Sequence, residues 1–242
     1  MATRPKSEAK SSPTDTRGKI VDALMELAAQ RRFEDISVRD ISRAAGVSLA
    51  DFRDAFPSKG AVLAGFTRHI DRIVLAQDDG KLSEENSRER LFDVLMRRLE
   101  AMAPYRKGLR EVVEWLRREP TAALAMNQVT LSSMRFMLEA AGIEAGGASG
   151  AIKLQGLALA WARVLHVWLD DDEPTLSKTM AELDRVLTRG ERAVAGLDRV
   201  SALTSPLNAF AKAAFDVGRR ARRGGSRPAR KESPSDEDVT AL

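Results

Sequence analysis

The sequence predicts an all-α chain, and three observations carry that expectation. Apolar residues recur three and four apart in block after block, as in Ile20, Val21, Leu24, Leu27 and Ala28. No run of useful length alternates apolar with polar residues, as a half-buried strand would. Proline, glycine and serine mark the ends of the blocks, where helices stop and start.

The 242 residues suffice for one large domain or two small ones with a real core. Hydrophobic residues make up 43% and charged residues 31%, the balance of a soluble globular protein. The absence of cysteine excludes disulfides and thiolate metal sites. No apolar run is long enough to cross a bilayer. The N-terminal MATRPKSEAKSSPTDT lacks the apolar stretch of a secretory signal, so a cytoplasmic location is expected.

Residues 1–15, rich in Pro, Ser, Thr and Lys, read as a disordered arm. A first amphipathic helix starts near Gly18 and ends near Arg32, with Phe33 as a core anchor beneath it. Ser37 opens the next helix in a capping-box pattern with Asp40, and Val38, Ile41 and Ala44 form its inner face. Gly46 breaks it in a sharp turn that calls for positive φ. Ser48 restarts a helix with Asp51 three residues on, and Phe52 and Phe56 face inward. Pro57 stops it. Ser58 caps a longer helix through Val62, Leu63, Phe66, Ile70, Ile73 and Val74.

A polar linker, DDGKLSEENS, leads to longer helices. Leu91, Val94, Leu95, Leu99 and Met102 set one, closed by Pro104; Leu109, Val112, Val113 and Leu116 set another, ended by Pro120. A third runs from Ala122 to Ala141. The turn GIEAGGASG separates it from LQGLALAWARVLHVWL, the most apolar helix in the chain. After a break at Asp170 to Pro174, Leu176, Met180, Leu183, Val186 and Leu187 form its partner.

Two short helices joined by a glycine turn, with a supporting helix before them, are helix-turn-helix geometry. The order "SVRDISRAAGVS", a short helix ending in Phe56, then "PSKGAVLAGF" closely resembles the N-terminal domain of the TetR family of bacterial transcription regulators. The match covers about residues 17 to 75, and "AAGVS…F-P-S-K" is its most specific part. The resemblance implies a TetR-like architecture. A helix-turn-helix three-helix domain (16–60) would precede a larger helical bundle for ligand binding and dimerisation (61–200). It also implies a homodimer on a palindromic operator in double-stranded DNA, with DNA affinity set by a small-molecule effector.

In that family the second helix of the pair commonly reads Thr-Leu-Tyr-x-His-Phe before the proline, and its Tyr and His often touch phosphates. Here Asp51, Arg53 and Ala55 stand in place of Thr, Tyr and His, while the inward aromatics Phe52 and Phe56 remain. Arg53 can replace the phosphate contact, because a guanidinium suits phosphate geometry. Asp51 reads as the capping partner of Ser48, with acceptance from cytosine N4 as the alternative. Residues 16–60 hold eight basic groups against seven acids, so little counterion-release affinity comes from bulk charge and the placement of each base decides. The expected DNA contacts are Arg39, Ser48, Leu49, Arg53 and Lys59. Arg4, Lys6 and Lys10 of the arm could add backbone contacts.

In the larger domain, Trp161, Leu165, Trp168, Leu183 and Leu187 form apolar strips on two successive helices. They fit a four-helix dimer interface, and an intramolecular core equally well. Tyr105, Trp115, Met126, Met134 and Met137 fit the lining of an effector pocket, with ordinary core as the alternative. The chain has two histidines, no metal-ligand spacing and no nucleophile–base arrangement. No catalytic residue, metal or cofactor is expected, and the protein is not read as an enzyme.

The run "LALAWARVLHVWLDDDEPTLSKTMAELDRVL", with Tyr105 after Pro104, also resembles the ubiquinone-biosynthesis lipid-binding accessory family. Those proteins share the TetR scaffold, carry an isoprenoid lipid, have given up DNA binding and use a C-terminal helix at membranes. Here Leu207, Phe210, Ala211, Ala214 and Phe215 make one apolar face within 201–220, followed by Arg219, Arg220, Arg222 and Arg223. A basic amphipathic helix of this kind suits an anionic membrane surface, a DNA-reinforcing arm, or simple docking. Residues 221–242 read as a disordered charged tail. The expected partners are thus double-stranded DNA, a second copy of the chain, a small apolar or lipid-like effector, and a membrane surface through the C-terminal helix.

Overall fold

The structure, a computed structural model, describes residues 13–77 and 86–193. Among them are helices and turns and no strand. The helices are α1 (Pro13–Ala28), α2 (Val38–Ala45), α3 (Leu49–Ala55), α4 (Lys59–Leu75), α5 (Ser87–Met102), α6 (Arg106–Arg118), α7 (Pro120–Ala140), α8 (Gly147–Asp170) and α9 (177–193). Two 3₁₀ turns, Phe33–Asp35 and Ala103–Tyr105, lie before α2 and before α6. The expected all-α, TetR-like order of a small helix-turn-helix head and a larger bundle is the observed one.

Helix α1 starts at Pro13, inside the expected arm, because proline suits the first position of a helix: its φ is preset and no amide is left unpaired. Pro120 likewise opens α7 rather than lying between helices. The second half of the glycine-rich turn is helical, since α8 begins at Gly147. Most of the expected linker, the C-terminal amphipathic helix and the charged tail lie outside the described residues.

One hydrophobic core runs from the head into the bundle. Ile20, Leu24, Phe33 and Ile41 are fully buried at one end, and Ile70, Leu99, Met134, Met137 and Val164 at the other. Helix α1 packs against α2, α4 and α6, so the head is seated on the bundle along its supporting helix. The contact with α6 is close. A Cβ built on Gly108 would lie 2.4 Å from the Met25 carbonyl oxygen, so only glycine lets these two backbones meet.

The turn from α8 to α9 is organised by one buried carboxylate. Asp171 accepts from the Thr179 amide at 2.9 Å and the Thr179 hydroxyl at 2.7 Å, capping α9 from within. Its own carbonyl takes the Arg106 guanidinium at 2.6 Å. Burial pushes the Asp171 carboxyl up, but the bonds from Thr179 and from the Glu173 amide outweigh it and hold it below the ordinary 3.8. A depressed carboxyl stabilises the fold above its unfolded value, and this contribution disappears as pH falls through the folded one. Asp171→Ala strands two buried donors on Thr179. It is expected to lower stability at neutral pH by about 2 kcal/mol, read from the urea midpoint. Below the folded titration point the difference between the two proteins should shrink.

Candidate nucleic-acid interface

The helix-turn-helix end of the head is built by local rules. Ser37 Oγ accepts from the Asp40 amide at 3.1 Å and donates to the Asp40 carboxylate at 2.6 Å, which in turn accepts from the Ser37 amide at 3.0 Å. Ser48 and Asp51 repeat the arrangement, with the Asp51 amide donating to Ser48 Oγ at 3.0 Å and Ser48 Oγ to the carboxylate at 2.6 Å. Both helices therefore close their own N-termini. Between them Gly46 sits at φ 65°, and the Val47 amide returns to the Ser42 carbonyl at 3.0 Å. That left-handed residue ends α2 and turns the chain into α3.

Helix α3 hangs inward by its two aromatics. Phe52 and Phe56 are buried, with ring centroids 6.5 Å apart. Gly65 on α4 makes room for Phe56: a Cβ there would meet the ring at 2.5 Å. On α2 the inner face is Ile41 and Ser42, with Val38 and Ala45 half-buried, while Ala44, expected inside, is exposed. The inward stripe thus runs one residue later than a three-residue step from Ile41 suggests.

The outer face of α3 is open. Ser48, Ala50, Arg53 and Asp54 are exposed, as is Arg39 on α2, and Leu49 is 48% exposed despite being apolar. Asp51 is in its capping box, so its carboxylate is anchored by local bonds. Other acids of the head are also engaged. Asp40 pairs with Arg31 at 3.5 Å, and Asp22 accepts from Tyr105 at 2.9 Å. Glu34 pairs with Arg118 at 2.9 Å. On the exposed face of α3 itself, Arg53 stands next to the exposed Asp54. Arg17 lies over the Phe56 ring at 5.6 Å, which places a further guanidinium beside α3's end.

Lys59 is the exception among the expected contacts. Its ammonium donates to the carbonyls of Phe33 at 2.6 Å and Ile36 at 2.8 Å, and lies 4.5 Å from the Phe33 ring centre. Burial lowers its pKa, opposed by the charges of Glu34 and Asp35. The residue expected on phosphate is instead a clamp on the 3₁₀ turn before α2. Sequence spacing places a lysine at the start of α4 but does not say that the carbonyls of this turn lie beside it.

That same turn joins the head to the bundle. The Phe33 amide donates to Glu111 at 2.9 Å, and the Phe33 ring lies 4.4 Å from that of Trp115, both partners on α6. Tyr105 meets Phe66 edge-on at 5.1 Å while its hydroxyl holds Asp22. Burial and the Asp22 bond push that phenol up to about 12, so it stays a proton donor at ordinary pH. Tyr105 and Trp115, expected to line a pocket, are therefore joints between head and bundle.

The other expected pocket residues share one helix, α7. Met134 and Met137 are fully buried in the core, and Met126 is half-buried on α7. A cavity of about 440 Å³ lies between α5 and α9, lined by Arg88, Phe92, Met180 and Leu187 among others, and by none of the five. The expected dimer residues are packed to differing degrees within the single chain. Trp161, Trp168, Leu183 and Leu187 are buried within the single chain and Leu165 is half-buried. Periodicity shows which face of a helix is apolar; it does not show what covers it. Among the described residues, the large apolar side chains exposed on α8 and α9 are Ile152, Leu159 and Met180.

Comparison with known proteins agrees with this geometry. Residues 20–65 match the family described as bacterial regulatory proteins, tetR family. No curated protein matches in sequence. Among solved structures, the chain is similar to a TetR transcriptional regulator from Nitrosomonas europaea, at 23% identity over 72% of this chain and 97% of that one, with a TM-score of 0.57. It is also similar to one from Rhodococcus sp. RHA1, at 18% identity over 73% and 96%, with a TM-score of 0.54. At these identities the likeness is one of fold. The chain has the fold of a TetR-family transcriptional regulator, and the matched segment is the one that carries α2, the Gly46 turn and α3.

Proposed function

We propose, for a chain with a tetR-family helix-turn-helix on the regulator fold, that it binds double-stranded DNA as a homodimer and responds to a small effector. One observation carries this reading: the outer face of α3 stands open, with Arg53 and Leu49 exposed and Asp51 held in its capping box. Leu49 offers an apolar contact for a thymine methyl, and Arg53 a bidentate donor for guanine or phosphate. Arg39 adds a backbone contact from α2. The second copy docks on the outward apolar residues of α8 and α9, Ile152, Leu159 and Met180, in place of the strip first expected. A dimer of such heads reads two half-sites, so the operator is two-fold symmetric.

Selection from a random duplex pool at low salt is the test, followed by titration on the enriched sequence. A palindrome should emerge, with affinity that falls steeply as salt rises. Arg53→Ala should weaken binding roughly tenfold or more while leaving the thermal midpoint unchanged. A folded, dimeric protein that enriches no sequence at low salt would overturn the proposal.

A further inference from the structure

We propose that the buried Asp71–Arg98 centre of the bundle is the anchor for a carboxylate, and that the effector is an amphipathic acid. This rests on the reading that the bundle takes an effector. It adds the chemistry of the site.

Four helices meet at this centre. Arg98 on α5 is 4% exposed and donates through Nη1 to Asp71 on α4. Ser133 on α7 donates to the same carboxylate oxygen at 2.7 Å. The guanidinium lies 5.3 Å from the ring centre of Trp161 on α8, and Met137 Sδ is 3.9 Å from Nη1. Arg98 Nε has no hydrogen-bond partner although it is fully buried.

An apolar core gains nothing from such an arrangement. Replacing a buried ion pair by apolar residues of similar volume is commonly neutral or stabilising. Here the pair is also incomplete, because a guanidinium offers five donors in a planar fork and a second carboxylate would fit that fork. Desolvation lowers the Arg98 pKa despite Asp71, so the guanidinium is short of negative charge. A second anion answers both shortfalls.

The surroundings say what the rest of the ligand is. On α7 the residues one and two turns before Ser133, on its own stripe, are Val129 and Met126, both half-buried. Not one of residues 120–132 is buried, whereas Ser133, Met134, Met137 and Leu138 are. The first half of α7 is thus the solvent-facing part of the helix, and Met126 and Val129, half-buried on the Ser133 stripe, mark an apolar track toward the charged centre. An apolar body lies along that track, and its acid group reaches Arg98. There it competes with Asp71, which belongs to α4, the helix that continues from the head. Ligand binding at Arg98 thereby loosens the hold of the bundle on α4.

The test uses the full chain without DNA, with decanoate and 4-phenylbutyrate as probes, each against the alcohol of the same skeleton. Tryptophan fluorescence and calorimetry read the affinity. At least one acid should bind roughly tenfold or more tightly than its alcohol, one per chain, as a charge-assisted bond predicts. Arg98→Met should erase that preference. Asp71→Asn should strengthen it, because the competing anion is gone. A purely structural pair would move both variants the same way. The proposal is overturned if neither acid outbinds its alcohol, or if Arg98→Met keeps the preference. A chain that selects an operator yet shows no acid preference would sink this inference alone. One that prefers the acid but selects no operator would sink the DNA reading alone.

Discussion

Gly108→Ala is expected to destabilise the chain by about 3 kcal/mol, because an overpacked contact against backbone has nowhere to relax. The new Cβ would stand 2.4 Å from the Met25 carbonyl oxygen and 3.2 Å from its carbon, and neither can rotate away. Helix α6 must retreat from α1. The retreat carries Glu111 and Trp115 off the Phe33 turn, so the head loosens along with the packing. Gly156→Ala is the matched control. It makes the same chemical change inside α8, with no atom within 4 Å of the new Cβ. That substitution should stabilise by about 0.5–1 kcal/mol, the gain of alanine over glycine in a helix. Urea unfolding of the two variants checks the contrast, and a Gly108→Ala effect under about 1 kcal/mol would mean that α1 and α6 are not in backbone contact.

Asp71→Ala should cost more still, about 3–5 kcal/mol, the usual penalty for leaving one member of a buried pair unpaired. It leaves Arg98 charged beside Met137 and Trp161, and it removes the acceptor of the Ser133 hydroxyl. The double variant Asp71→Leu with Arg98→Met should recover most of that loss, since no charge then remains to be desolvated. Equilibrium unfolding of the two single variants and the double gives the coupling directly. If Asp71→Ala falls within about 1 kcal/mol of the parent, on the scale of an exposed pair, the centre is not shielded from water.

The sequence alone located what short-range chemistry decides. Ser37 with Asp40, Gly46, and Ser48 with Asp51 mark helix ends by rules that involve only three or four neighbouring residues, and the structure has all of them. The inward turn of Phe52 and Phe56 follows from the same helical spacing. What the sequence could not fix depends on contacts between distant residues. Lys59 faces carbonyls 23 to 26 positions away, and Tyr105 bonds to Asp22 83 positions away. The strip with Trp161 and Trp168 meets its own chain, because any apolar partner satisfies the same periodicity. Arg98 did leave a signal. It interrupts the inward series Leu91, Val94, Leu95, Leu99 and Met102 at an inward position, and a charge there demands a buried partner.

The two Ser–Asp boxes also bear on how this head could change its target. Because α2 and α3 secure their own ends and are held inward by Ile41, Phe52 and Phe56, positions 49, 50, 53 and 54 have no architectural duty. If α3 enters a DNA groove as proposed, new base preferences can be written at those four positions while the scaffold beneath stays as it is.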